Sequence, residues 1–184
     1  SLGRAWPVET RYLGYEPRQR LEDQVAAAIR KALYEEDGSI LAFLPGVAEI
    51  QRTVDRIGPV ADNVHITPLY GALTPQEQND AIAAAPKGTR KVVVATDLAE
   101  SAITIEGVRV VVDCGFARVP RFDPGLGASR LETVRVAVAN ADQRRGRAGR
   151  TGPGVCYRLW REPEMRGFAA SPSPEIDNAD LTGL

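Results

Sequence analysis

Ile40-Leu41-Ala42-Phe43-Leu44-Pro45-Gly46-Val47 is the stretch on which the fold turns. Its opening apolar run is short and unbroken, the mark of a buried strand. Pro45-Gly46 ends that run, and Val47, Ile50, Val54 and Ile57 then recur at helical spacing until Gly58-Pro59. A buried strand passing through a tight break into an amphipathic helix is the repeating pattern of a parallel sheet with helices packed on it.

The alternation extends in both directions. Upstream, Leu21, Val25, Ile29 and Leu33 predict a helix over 18–36, stopped by Asp37-Gly38-Ser39. Residues 1–17, with Pro7 and Pro17, read as an extended lead-in from a preceding domain. Downstream, 64–69 is strand-like. Thr74-Pro75-Gln76-Glu77 then combines an N-cap threonine, a first-turn proline and a capping glutamate, opening a helix to about Ala85. Strands follow at 91–95 and 108–113. Residues 116–121 and 129–137 flank Asp123-Pro124-Gly125 as a β-hairpin. Asn140 is placed to cap a helix over 141–149, and 154–159 makes a last strand. Residues 162–184, rich in Pro, Ser and Asp, read as a linker towards a following domain. The fold class expected is α/β: a parallel sheet flanked by helices, with a β-hairpin insertion over 18–161 and sites at the carboxyl ends of the strands.

The 184 residues suffice for one such domain plus tails. No run approaches the length of a membrane span and no signal peptide opens the chain, so a cytoplasmic protein is expected. Cys114 and Cys156 sit in strand-like runs and read as reduced core thiols. With a single histidine and no Cys-x-x-Cys, no metal site is expected. A net charge of −1 argues against a general polyanion binder. The average hides a local excess: Arg144, Arg145, Arg147, Arg150, Arg158 and Arg161 stand against Asp142 alone. Guanidinium groups are forked donors suited to phosphate oxygens, so the cluster points to a site.

Within it, Gln143-Arg144-Arg145-Gly146-Arg147-Ala148-Gly149-Arg150 is the strongest signal. On a regular helix, Gln143, Arg147 and Arg150 share a sector, while Arg145 faces away and Arg144 lies on the flank. An amide beside two guanidinia suits a phosphoryl group gaining charge in a transition state. The two glycines would let another surface approach closely. A basic helix that only neutralises nucleic-acid phosphates is the competing reading.

The same run resembles motif VI of superfamily 2 helicases, written Q-R-x-G-R-A-G-R in the DEAH-box group. Ala95-Thr96-Asp97-Leu98-Ala99-Glu100-Ser101-Ala102-Ile103-Thr104-Ile105 is similar to motif V, and 40–50 to motif IV. Leu69-Tyr70-Gly71-Ala72-Leu73, Val111-Val112-Asp113-Cys114-Gly115-Phe116, 151–159 and the opening Gly3-Arg4-Ala5-Trp6-Pro7-Val8-Glu9 also fit the group. Pro45-Gly46-Val47 and Phe122-Asp123-Pro124 favour its HrpB branch. The resemblance spans almost the whole chain and implies the second RecA-like domain, P-loop NTPase-type, of an ATP-dependent RNA helicase.

By motif position, it implies that Arg150 is the arginine finger, Arg147 a second γ-phosphate ligand and Gln143 the group positioning the attacking water. It implies that Thr96 and the Gly71-Ala72 backbone contact RNA, and that Thr104 and Glu106 lie near the nucleotide ribose. Ile82 stands where relatives carry an aromatic that stacks on the base, and the hairpin would act as a wedge or strand guide. For Thr96 a hydroxyl satisfying local backbone, for Glu106 a solvated turn carboxylate and for Ile82 core packing remain open beside these roles. Asp97 in place of asparagine and Ala102 in place of serine depart from the family pattern. Neither a phosphate-binding loop nor a magnesium-binding Asp-Glu-Ala-His run occurs here. ATP and Mg2+ would therefore be held mainly by a preceding RecA-like domain, with single-stranded RNA, or DNA, across both lobes. The isolated fragment is expected to be inactive. A non-catalytic RNA-binding or partner-recruiting module is the alternative.

Overall fold

The computed structural model describes residues 5–101 and 103–173. Strands β1 (Val8–Tyr12), β2 (Ser39–Phe43), β3 (Val64–Leu69), β4 (Arg90–Ala95), β5 (Val108–Asp113) and β8 (Gly154–Arg158) form one parallel sheet in the order β1-β8-β5-β2-β4-β3. Strands β6 (Phe116–Asp123) and β7 (Ala128–Arg135) form a separate antiparallel pair, the expected hairpin. The α/β reading holds.

Crossover handedness explains how the sheet is closed. Moving from β1 to β2 to β3 the chain travels one way across the sheet, through α1 (Leu21–Glu35) and α2 (Val47–Ile57). From β3 through β4 and β5 to β8 it travels back, through α3 (Pro75–Ile82), residues 96–107 and α4 (Val138–Gly146). Right-handed crossovers put the two sets on opposite faces. The core divides accordingly. Val25, Ile29, Ile50 and Ile57 pack with Ile40, Val92, Val94, Val110 and Val112 on one face. Leu41, Phe43, Val93, Ala95 and Val111 pack with Ala81, Ala99 and Ala148 on the other. The β4–β5 crossover carries only a 3-10 turn, Asp97–Ala99, so it covers its face with a loop.

Local chemistry sets the boundaries. The Thr74 hydroxyl accepts from the Glu77 N–H at 3.2 Å while Glu77 accepts from the Thr74 N–H at 2.9 Å, the capping box read from the sequence. The helix ends at Ile82, short of Ala85, and the Lys91 ammonium binds the carbonyls around that end, Asp80 O, Ala81 O and Ala83 O, at 2.7–2.8 Å. A cation at that end also matches the helix dipole.

Two boundary readings need correction. Val8–Tyr12, read as lead-in, is the sheet's edge strand beside β8, held by ladder bonds that no side-chain pattern announces. Residues 162–170, read as linker, are docked on the domain. The Trp160 ring lies 5.4 Å from Phe168, and Ala169 O and Ala170 O accept from the Val138 and Ala139 N–H groups at the start of α4. These carbonyls replace a side-chain cap, so the helix begins at Val138 and Asn140 lies inside it. Gly3 and Arg4 of the opening motif, Ala102 and residues 174–184 lie outside the described residues.

Candidate functional site

The site is built where the loop crossover leaves the sheet thinly covered. Leu41 from β2, Val108 from the start of β5, and Ile103, Thr104 and Ile105 from the crossover close around a narrow crevice with Arg147 and Arg150, too tight in this structure to hold a water. Strand ends supply the other surface: Thr96 follows β4 and donates its N–H to Leu69 O, while Gly71 and Ala72 follow β3 and are exposed. A Cβ on Gly71 would meet nothing within 4 Å, so its backbone is open to a partner. Thr96, Gly71 and Ala72, the residues expected to contact RNA, thus lie just after the ends of β4 and β3. The arginine crevice instead lies on a face of the sheet, towards the amino end of β5.

The regular helix of α4 stops at Gly146, and Arg147–Gly149 continues as a 3-10 turn. That change tightens the rotation per residue, so the sector drawn for a regular helix no longer applies. Arg147 and Arg150 come together with Thr104; Gln143 is exposed on α4 and does not line the crevice. Glu106 sits exposed in the turn before β5, where Gly107 has φ +83°. Ile82 is half-buried against the core. Asp97 is exposed and borders a separate groove beneath the hairpin, with Arg121 and Asn140. The glycines divide: a Cβ on Gly149 would lie 2.6 Å from Trp6 O of the chain's own edge segment, whereas Gly146 faces open space.

Each arginine of the run has a different fate. Arg145 reaches β1, donating Nε to Thr10 Oγ1 at 2.6 Å and Nη2 to Val8 O. Arg144 is fully buried, donating Nε to Glu100 Oε2 and Nη1 to Asp113 Oδ1, both at 2.8 Å. Burial opposes its charge, but Asp113 and Glu100 outweigh that and hold the guanidinium more firmly protonated than usual. Arg158 is likewise buried, donating to Tyr12 Oη and Asp142. The local excess of arginine is therefore in large part internal scaffolding.

Arg147 is anchored and poised at once. It donates Nε to Glu100 O at 2.6 Å and Nη1 to Ile103 O at 3.0 Å. Burial and the charge of Arg150 pull its guanidinium below arginine's ordinary value. It stays charged, so two cations repel each other across a partly dry crevice. An anion between them would relieve that repulsion. Arg150 is exposed and holds no ion pair among the described residues.

The sequence reading missed Glu100 and Asp113 and set Arg144 aside. The available signal was a carboxylate ending each apolar run: Asp113 closes a strand otherwise built of Val and Arg109, and buried carboxylates are almost always paired. Cys114 and Cys156 are buried and free, and burial pushes both thiols up to about 12, leaving them protonated.

Residues 23–152 match the family described as "Helicase conserved C-terminal domain". The chain is 49% identical over 185 residues to the ATP-dependent RNA helicase HrpB of Escherichia coli (strain K12), covering 100% of this chain and 23% of that protein. It is 39% identical over 188 residues to the pre-mRNA-splicing factor ATP-dependent RNA helicase prp22 of Schizosaccharomyces pombe, covering 98% of this chain and 16% of the relative. A crystal structure described as the E. coli DExH-box NTPase HrpB superposes with TM-score 0.88 at 49% identity, over 94% of this chain and 22% of that one. The fold is thereby the RecA-like one, and the chain spans less than a quarter of the length of these relatives. The match across 23–152, more than half of the chain, places it in a family: the chain belongs to the helicase conserved C-terminal domains.

Proposed function

We propose that this domain is the second RecA-like lobe of an ATP-dependent RNA helicase, and that Arg147 and Arg150 complete an ATP site whose other half lies on a preceding lobe of the same polypeptide. The observation that carries the reading is the pairing of these guanidinia in one crevice with Thr104. Two guanidinia held this close favour an anion beside them, the electrostatic requirement for transferring a phosphoryl group.

In this reading Arg150, unpaired and exposed, reaches across the cleft as the arginine finger. Arg147, fixed by two backbone carbonyls, presents its remaining nitrogen to the same phosphate. Gln143, one turn earlier and outside the crevice, orients water only once a second lobe closes over it. Thr104 and Glu106 border the nucleotide ribose, and Ile82 contributes apolar surface near the base. At the strand ends, Thr96 and the open Gly71-Ala72 backbone hold the phosphates of a single RNA strand, with the hairpin guiding it. Among the described residues no cluster of His, Cys, Asp or Glu could hold a metal ion. Mg2+, which would supply charge neutralisation at the phosphates, would in this reading be held mainly by the preceding lobe. No helix among the described residues is long and apolar enough to cross a membrane.

The isolated domain should hydrolyse no ATP, while the full-length protein does so faster with single-stranded RNA. Turnover at helicase rates by the pure domain would break the split-site reading. Unwinding of RNA against DNA duplexes by the full-length protein decides the nucleic acid.

A further inference from the structure

Three elements that serve different surfaces meet at one buried side chain. Arg144 lies on α4, which leads into the crevice. Its Nε binds Glu100 Oε2 at 2.8 Å, at the end of the crossover turn that begins at Thr96. Its Nη1 binds Asp113 Oδ1 at 2.8 Å and Phe116 O, the first residue of the hairpin, at 3.2 Å. Its Cζ stands 4.9 Å from the centroid of the Phe43 ring, at the end of β2.

Glu100 is bound at both ends. Its carboxylate accepts from Arg144 and, at 2.8 Å, from Asn140 Nδ2; its main-chain oxygen accepts from Arg147 Nε at 2.6 Å. Between Thr96 and Glu100 the chain is a hydrogen-bonded 3-10 turn, with the Ala99 N–H on Thr96 O at 3.2 Å and the Glu100 N–H on Asp97 O at 2.9 Å. Thr96 and Glu100 are thereby joined through one hydrogen-bonded turn. The Arg147 guanidinium is tied to the carbonyl of the same Glu100.

The junction also holds two buried polar atoms left without partners. Asp113 Oδ2 and Arg144 Nη2 are both buried and without a hydrogen-bond partner among the described residues. Only half of the arginine fork is engaged with Asp113. The junction nonetheless joins α4, the crossover turn and the hairpin base through one side chain, a contiguous network of the kind that can carry coupling between sites.

We propose that Arg144 is a positioning residue that, with Glu100 and Asp113, couples the strand-end surface and hairpin base to the arginine crevice, so that nucleic-acid binding sets the placement of Arg147. This rests on the helicase reading above.

The test uses the full-length protein and a single-stranded oligouridine RNA, comparing wild type with Arg144→Lys, which keeps the buried charge and loses the fork. Glu100→Gln, which keeps the size and loses the charge, is measured beside it. The readout is the ratio of RNA-stimulated to unstimulated ATP turnover, with the KM for ATP, the RNA Kd and the Tm followed in parallel. The ratio should fall about tenfold, within the usual range of coupling between sites, while KM and Kd change by less than about threefold. The milder Asn140→Ala should lower it in the same direction. A wild-type ratio in Arg144→Lys and Glu100→Gln, both folded, overturns the proposal. So does a parallel fall of both rates with a lower Tm in all three variants, which is the behaviour of a purely structural residue. A wild-type protein that RNA fails to stimulate would strike the helicase reading itself, whereas an unchanged ratio in the variants strikes only the coupling.

Discussion

The two faces of the sheet are closed by different means. One is covered by α1 and α2, whose Val25, Ile29, Ile50 and Ile57 are at most 1% exposed. The other is crossed between β4 and β5 by a loop holding one 3-10 turn, and there the crevice opens beside Leu41 and Val108. A helix buries a continuous apolar stripe; a loop of the same reach covers less and leaves backbone carbonyls to be claimed. Arg147 claims two of them. Both faces carry buried core, but the candidate site lies only on the loop-covered one, so substitutions on the two sides should separate stability from the proposed chemistry.

The largest effect is expected on the open face. Arg150→Ala in the full-length protein should lower ATP turnover by ~10³-fold or more, the usual weight of an arginine finger. Because the side chain is exposed and unpaired, Tm should stay near wild type and RNA affinity should be largely kept. Loss of RNA binding with surviving hydrolysis would return the arginine run to mere phosphate neutralisation.

On the covered face the pattern should invert. Ile29→Ala removes a side chain with 0% exposure and should cost about 3 kcal/mol in denaturant titration, with turnover per folded molecule retained. A stability loss under about 1 kcal/mol would show that this face is less tightly closed than its packing indicates.

Smaller still is the cap of α3, on the open side. Thr74→Ala removes one half of the capping box and should cost about 1 kcal/mol. A loss as large as that of Ile29→Ala would contradict the division between faces.

The smallest effect is the acid limb of the hairpin latch. Arg118 grips Glu49 with both nitrogens, at 3.0 and 2.9 Å, tying β6 to the first turn of α2. Burial opposes the Glu49 charge, but the Arg118 fork and local backbone prevail and hold the carboxyl below its ordinary 4.5. A depressed folded value means stability that is complete above 4.5 and is lost as pH falls through the folded value. Glu49→Gln should therefore flatten the acid side of the Tm–pH profile; an unchanged profile would remove the latch from the account.

Much of this was legible in the order of residues. Runs such as 40–44 and the capping box at Thr74 are local: their apolar content or side-chain reach selects a strand or a helix start wherever they occur, and the strands and hairpin appeared as expected. The edge strand Val8–Tyr12 was not legible as part of the sheet, because ladder bonds use backbone atoms common to every residue. Residues 162–170 escaped for a related reason: their carbonyls cap α4 from far along the chain.

The arginine run shows the division most sharply. Its composition alone made phosphate-like anions the expected ligand, since guanidinium charge and fork geometry belong to the residue. Which arginines are left free for such a ligand was decided by the tertiary structure. Arg144 finds Glu100 and Asp113, Arg145 finds β1, and a shift from regular to 3-10 winding turns Arg147 and Arg150 into the crevice and leaves Gln143 outside it. Charge is a property of a side chain, but burial and pairing are properties of what the fold brings beside it.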